Sequence, residues 1–319
     1  TGPCRTGKST FIRRFMEKAV LPNMTDEFEK KRATDELPLI GAGKMITTTE
    51  PKFVPSRPAE IKAGDNLKFK MRLIDCVGYI IDGAEGILDE DEPRMVSTPW
   101  SDKPMPLAAA ALTGTNKVIN DHSTIAIAMT TDGTITDIPR ENYVEAEEDI
   151  VNTLKKSGKP FVMVLNSATP YSPETDSLRA ELEQKYEVPV KTADCARLKD
   201  EDINELLESL LYEFPVNEIN INIPRWLEGL ENGHWLKSSV INTLLSLTEK
   251  TARLREIADC VSELEENEYV RKAYIGDISA GNGSADIDVA MNDSLFYKVL
   301  SETIGMDIKG DYELISIMK

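Results

Sequence analysis

Residues Gly2-Pro3-Cys4-Arg5-Thr6-Gly7-Lys8-Ser9-Thr10 decide the fold. They follow the pattern of glycine, four residues, glycine, lysine and a hydroxyl residue. Gly7 lets backbone amides turn inward on a β-phosphate, Lys8 spans the β- and γ-phosphates as a point charge, and Ser9 offers its hydroxyl to magnesium. A helix opening at Thr10 adds its positive end. The pattern therefore predicts a loop that binds a nucleoside triphosphate. Such a loop normally follows a buried strand, and the chain starts at Thr1 without one, so it is expected to be a fragment whose amino end is lost.

Two further parts stand downstream. Arg72-Leu73-Ile74-Asp75-Cys76-Val77-Gly78 is an apolar strand ending in aspartate, with a glycine three residues on. Asp75 is expected to hold magnesium through water, and the Gly78 amide to approach the γ-phosphate. Between them lies Thr47-Thr48-Thr49-Glu50-Pro51. A threonine of such a switch loop closes on magnesium and the γ-phosphate; Thr48 and Thr49 are favoured, with Thr49 at the metal, against an edge-strand reading.

The next part is informative by its departure. Guanine-specific proteins place Asn-Lys-x-Asp after a buried strand, whereas here residues 161–165 lead into Asn166-Ser167-Ala168-Thr169. Asn166 remains for the nucleotide, but the lysine and the base-reading aspartate do not. ATP is therefore the expected nucleotide. Tyr79 follows Gly78 where a water-orienting glutamine could stand, which predicts slow turnover. Arg5 is read either as an extra charge for the phosphates or as a surface arginine.

Around these motifs the chain alternates helix and strand. Helices are predicted at 11–21, 108–120, 141–157, 173–186 and 202–212, and strands at 67–75, 124–129, 161–165 and 188–192. That order predicts an α/β domain with a mostly parallel sheet over residues 1–215 and a smaller α/β domain over 216–319. Residues 26–57 read as a loop-rich switch region, and 77–106 as a long excursion. In the second domain a strand is predicted around Val216 to Ile223 and another over 285–291, with helices at 295–304 and 312–318. An apolar stripe from Val240 to Val261 fits one long helical region, either a short coiled coil or a face packed on its own domain.

The 319 residues carry a net charge of −18, which argues against a protein that wraps nucleic acid. No run reaches the roughly 18 apolar residues of a spanning helix, so no transmembrane segment is expected. Cys4, Cys76, Cys195 and Cys260 lie far apart, without the spacing of a zinc site or disulfide framework.

The phosphate loop, together with Val20-Leu21-Pro22-Asn23, Asp35-Glu36-Leu37-Pro38, residues 48–55, Asp75-Cys76-Val77-Gly78-Tyr79, Thr130-Thr131-Asp132-Gly133-Thr134-Ile135 and Tyr212-Glu213-Phe214-Pro215, resembles the stage IV sporulation protein A family over essentially the whole chain. The resemblance implies a P-loop GTPase-like domain of TRAFAC type that hydrolyses ATP with Mg2+, then a middle domain. It implies hydrolysis-driven self-assembly into a static homopolymer beneath the spore coat, in the cytoplasm on the mother-cell side of the forespore surface. Lys8 then matches the phosphate-loop lysine, Asp75 the magnesium-linked aspartate, and Thr48 and Thr49 the γ-phosphate sensors. Partners implied are further copies, a small amphipathic membrane-curvature-recognising peptide and other coat proteins, met through a carboxyl domain this sequence is expected to lack. The alternative from the motifs alone is a GTPase-type switch recruiting partners in its triphosphate state.

Overall fold

A computed structural model describes residues 1–39, 46, 50–63, 67–89, 92–279 and 282–318. The chain divides into two compact units, Thr1–Leu210 and Leu211–Lys319.

In chain order the elements of the first unit are α1 (Lys8–Phe15), α2 (Glu27–Asp35), β1 (Lys52–Ala63), β2 (Leu67–Asp75), β3 (Leu88–Asp89), β4 (Glu92–Pro93), β5 (Met95–Thr98), β6 (Ser101–Pro106), α3 (Leu107–Lys117), β7 (Ala126–Thr131), α4 (Glu141–Ser157), β8 (Phe161–Asn166), α5 (Pro173–Tyr186), β9 (Val190–Ala193) and α6 (Asp200–Tyr212). Strands β7, β8 and β9 form a parallel sheet with β8 in the middle. All six residues of β8 are buried, because both its faces are covered, as a parallel sheet requires. Phe161, Met163 and Leu165 join one core with Tyr143, Ile150 and Leu154 of α4 and Leu182 of α5. Val162 and Val164 join the opposite core with Phe11 and Phe15 of α1 and Leu206 and Leu210 of α6. The result is helix, sheet and helix in three layers.

The first residues lie alongside this sheet. The Thr1 amino group donates to the Ile127 carbonyl at 2.7 Å, and the Met129 amide donates to Thr1 at 2.8 Å. Pro3 forms a parallel bridge with Tyr79 on its other side. These bonds aim the phosphate loop at the carboxyl ends of the strands.

Helices α4 and α5 and strand β2 fall where the sequence predicts them. Elsewhere the structure corrects the reading. Residues 26–57 are not all loop: Asp26 caps α2 by accepting from the amides of Phe28 and Glu29, and β1 pairs antiparallel with β2. Residues 77–106 hold two short hairpins, β3 with β4 and β5 with β6. The first helix starts at Lys8 and widens into a π-type turn over Met16–Val20 before Pro22. Residues 47–49, with the favoured Thr48 and Thr49, lie outside the described residues.

The second unit contains β10 (Glu218–Asn222), α7 (Arg225–Glu228), α8 (Trp235–Thr248), α9 (Ile257–Glu265), β11 (Val270–Ser279), β12 (Ser284–Met291), α10 (Asp293–Ile304) and α11 (Asp311–Met318). Its sheet has β12 at the centre, parallel to β10 and antiparallel to β11. Ala285, Ile287, Val289 and Met291 point inward, the period of two expected of a half-buried strand. The stripe from Val240 to Val261 is two helices rather than one: α8 ends at Thr248 and a 3-10 turn at Leu254–Glu256 intervenes before α9. Val240, Leu244, Ile257 and Val261 all pack in this unit's own core. Strand β11, which the sequence reading passed over, has only Val270 and Ala273 buried.

Candidate nucleotide site

The sequence bends sharply at the head of α1. Gly7 precedes the helix in left-handed backbone, φ 90°, where an L side chain is strained. A Cβ there would stand inside 3.0 Å of the Asn166 amide. Gly78 is as confined: at φ 82°, its Cβ would collide with the Gly2 carbonyl oxygen and sit 2.6 Å from Lys8 Nζ. Both positions admit backbone only, and the Gly78 backbone thus runs directly beside the lysine.

Lys8 is buried, and its ammonium donates to the carbonyls of Pro3 at 2.6 Å and Gly2 at 3.2 Å. Burial pulls its pKa below the ordinary lysine value, partly offset by neighbouring acidic groups including Asp75. Thr6 ties the loop to itself, donating to Pro3 O at 2.9 Å. Asn166, at the end of β8, donates to Thr6 O at 3.0 Å and accepts from the Cys195 amide at 3.0 Å. The asparagine is thus a brace between loop, β8 and β9. Cys4 is buried, and burial raises its thiol pKa, which keeps a negative thiolate away from a phosphate site.

Ser9 on α1 donates to Asp75 Oδ2 at 2.7 Å. The Asp75 carboxyl is buried, and burial raises its pKa against the opposing pull of the Ser9 bond and Lys8. Its second oxygen, Oδ1, has no hydrogen-bond partner. A buried carboxylate oxygen without a partner costs about 1–3 kcal/mol, more when charged. Ser9 and Asp75 together, one hydroxyl and one carboxylate, are oxygen donors suited to Mg2+ with its retained waters. The residues present therefore fit the ion that the sequence implies.

A cleft of about 490 Å³ opens over these groups, lined by Cys4, Arg5, Gly7, Lys8, Ser9, Thr10 and Asn166 among the expected residues. That volume suits a small ligand. Gly2, Pro3 and Thr6 lie behind it and shape the loop. Arg5, in left-handed backbone at φ 63°, is half-buried in the cleft wall rather than a surface arginine. Tyr79 turns away: it is buried, and its hydroxyl donates to Asn116 at 2.9 Å.

The sequence reading missed a wall of the cleft. Residues 134–137 after β7, with Asp194 and Ala196 after β9, form this wall, and Arg14, Ile46, Cys76 and Val77 line the rest. The signal lay in Asp132-Gly133, a turn dipeptide at a strand end, and Gly133 does take φ 90°. Strand register makes the wall: Thr131 pairs with Asn166 and Asn166 with Ala193. Asp132, Ser167 and Asp194 are therefore the next residues at the carboxyl ends of three adjacent strands, where open α/β sheets bind ligands.

Residues 1–215 match the family model described as stage IV sporulation protein A, ATPase domain, and residues 216–319 match its middle domain. The chain is 49% identical over 317 residues to stage IV sporulation protein A of Clostridioides difficile (strain 630) and 45% identical over 318 residues to that of Bacillus subtilis (strain 168). It is 44% identical over 317 residues to the protein of that name from Bacillus anthracis. These alignments cover 99%, 100% and 99% of this chain and 65%, 65% and 64% of the relatives. No solved structure matches. With two family models spanning its length and three such relatives, the chain belongs to the stage IV sporulation protein A family and carries that family's ATPase and middle domains.

Proposed function

We propose that residues 1–215 form a P-loop GTPase-like domain of TRAFAC type that binds ATP with Mg2+ and hydrolyses it, and that 216–319 are the middle domain. One observation carries the reading: Lys8, Ser9 and Thr10 at the head of α1 line one cleft, and Ser9 donates to buried Asp75, which stands directly behind that lining.

The chemistry is phosphoryl transfer to water, where catalysis is mainly positioning and charge stabilisation. Lys8, held at the floor by loop carbonyls, meets the β- and γ-phosphate oxygens. The amides at the head of α1 face the same charge, aided by the helix dipole. Gly78 brings its backbone amide to the γ-phosphate side because no side chain obstructs it. Ser9 and Asp75, with Thr49, would hold the Mg2+, which would supply positive charge against the triphosphate. Thr48 and Thr49 are the proposed γ-phosphate sensors. Asn166 shapes the loop beside the nucleotide.

In the whole protein, hydrolysis drives self-assembly into a static polymer, the basement layer of the spore coat. Assembly takes place in the cytoplasm, on the mother-cell side of the forespore surface. Further copies are the first partners; a small amphipathic membrane-curvature-recognising peptide and other coat proteins join through the carboxyl domain. Among the described residues no helix is long and apolar enough to cross a membrane. Nucleic acid is not a partner in this reading.

A pelleting assay of the full-length protein with MgATP tests it. Wild type sediments after hydrolysis, while Lys8→Ala stays in the supernatant. Equal sedimentation of both overturns the coupling, and a clear preference for GTP supports a recruiting switch in its place.

A further inference from the structure

The wall at residues 132–140 is pinned at both ends. At its start, Asp132 Oδ1 accepts from the Thr134 amide at 3.0 Å and hydroxyl at 2.6 Å, and Oδ2 accepts from the Thr175 hydroxyl at 3.3 Å. Further on, the Thr136 hydroxyl meets Tyr143 OH at 2.9 Å. At its end, Arg140 pairs with buried Glu147, which also accepts from Thr130 and Tyr186. Ile138 is fully buried between these points.

This wall grips the turn after β8 at two points: the Ala168 amide donates to Thr134 Oγ1 at 2.9 Å, and Ser167 hydrogen-bonds to Asp132. Thr134 therefore relays, its hydroxyl donating a hydrogen bond to Asp132 and accepting one from the Ala168 amide. The gripped turn is Asn166-Ser167-Ala168-Thr169, the stretch where a guanine reader would carry lysine and aspartate. Its other groups are used internally: the Thr169 amide donates to Ser167 Oγ at 3.0 Å, and its carbonyl accepts from Thr175 at 3.0 Å.

The two carboxylates at this edge are occupied as well. Asp194 accepts through Oδ1 from the amides of Ala196 and Arg197, and its Oδ2 lies 3.9 Å from Arg197 Nε. Asp132, although burial opposes its charge, is held below the usual carboxylate range by hydrogen bonds from Ser167, Thr134 and Thr175. Guanine presents two adjacent donors on its pairing edge and needs a free bidentate acceptor. Adenine presents one donor beside an acceptor. A site in which Asp132 is engaged through both oxygens and Asp194 through one offers no free bidentate acceptor and leaves the guanine donors unpaired.

We propose that Asp132 and Thr134 are positioning residues that set the base selectivity of this site, by holding the turn after β8 so that adenine nucleotides are accepted and guanine nucleotides rejected. The proposal rests on the ATPase reading above and names the part of the chain that chooses the base. Asp132 acts through Thr134 rather than by touching the nucleotide.

The test is steady-state hydrolysis of MgATP and MgGTP by the full-length protein as wild type, Thr134→Val, Thr134→Ser and Asp132→Asn. Thr134 is exposed, so its replacement leaves folding intact. Thr134→Val is expected to raise KM for ATP about tenfold, the worth of one hydrogen bond in a site of this kind. Its kcat stays within about threefold, and the ATP-to-GTP ratio of kcat/KM falls by about tenfold. Thr134→Ser retains the wild-type ratio, and Asp132→Asn, whose remaining oxygen still accepts from Thr134, falls between wild type and the valine variant. A wild-type ratio in Thr134→Val overturns the proposal while leaving the ATPase reading in place, as does a parallel rise in both KM values. A wild type that hydrolyses neither nucleotide overturns both.

Discussion

Replacing Gly78 by alanine isolates the close approach on which the site is built. At φ 82° an L side chain costs about 1–2 kcal/mol through backbone strain alone. The added methyl would also stand well inside 3.0 Å of the Gly2 carbonyl oxygen and 2.6 Å from Lys8 Nζ, where contact begins at about 3.5 Å. Gly2 must then move by about an ångström, and its bond from Lys8 at 3.2 Å is lost. A charge-assisted bond is worth about 1.5–3 kcal/mol, so the sum is roughly 3–5 kcal/mol. In a unit of this size each kcal/mol lowers Tm by about 2–4 °C, and a fall near 10 °C is expected. Lys8 is displaced with the loop, and a shift of this size at a reacting centre costs about 100-fold in kcat/KM. Gly158→Ala is the control: its φ is 67° but nothing lies within 4 Å of the added Cβ. It bears the backbone strain alone, about 1–2 kcal/mol, with hydrolysis unchanged. Thermal melts and phosphate release on the two variants decide the matter. If Gly78→Ala melts and hydrolyses like Gly158→Ala, the crowding of Gly78, Gly2 and Lys8 is not what shapes the site.

Other outcomes follow from the same geometry. Asp75→Asn keeps an acceptor for Ser9 but removes the carboxylate, so stabilisation of the protein by MgATP in thermal melts disappears; a wild-type Tm shift would contradict the magnesium role. Asp132 has a depressed folded-state pKa, so its contribution to stability is present above the unfolded value of about 3.9 and is lost as pH falls through the lower folded value. The stability gap between wild type and Asp132→Asn should accordingly stand at pH 7 and close on acidification below that window; a gap that widens there contradicts the assignment. In the second unit, buried Glu213 pairs with Arg253 and Arg255. Glu213→Ala leaves two guanidinium groups, each about a third exposed, without their carboxylate and should cost about 1–3 kcal/mol by denaturant titration, whereas a loss below about 1 kcal/mol would mean the arginines find water instead.

The parts of this fold that were legible in the sequence are those with local punctuation. Helix α5 begins with Ser172, whose hydroxyl accepts from the Thr175 amide, and Pro173 at its first position, a start written in the residues themselves. Helix α4 ends at Gly158 in left-handed backbone, an equally local stop. Strand β1 was hidden because Pro55 and Pro58 argue against a strand unless it lies at an edge. Strand β11 was hidden because only two of its residues face the core. The stripe from Val240 to Val261 kept its spacing across a break after Thr248, since two helices against one core repeat the same apolar rhythm.

The site divides in the same way. Lys8 and Ser9 are fixed by one turn of chain, and Asp75 by a strand end that points back to them. Asp132, Ser167 and Asp194 are 35 and 27 positions apart in sequence, and only the register of β7, β8 and β9 sets them in a row. Their one sequence trace was turn chemistry at strand ends, which marks a loop without saying what it faces.

The central claim is that the loop before α1 and the Ser9-Asp75 pair bind a triphosphate together with a divalent cation. Calorimetric titration of the full-length protein with ATP, with and without Mg2+, measures this directly. The account predicts saturable heat with Mg2+, strongly weakened when Mg2+ is removed and abolished in Lys8→Ala. Wild type and Lys8→Ala giving the same isotherm, or no heat from wild type with any triphosphate, would contradict it.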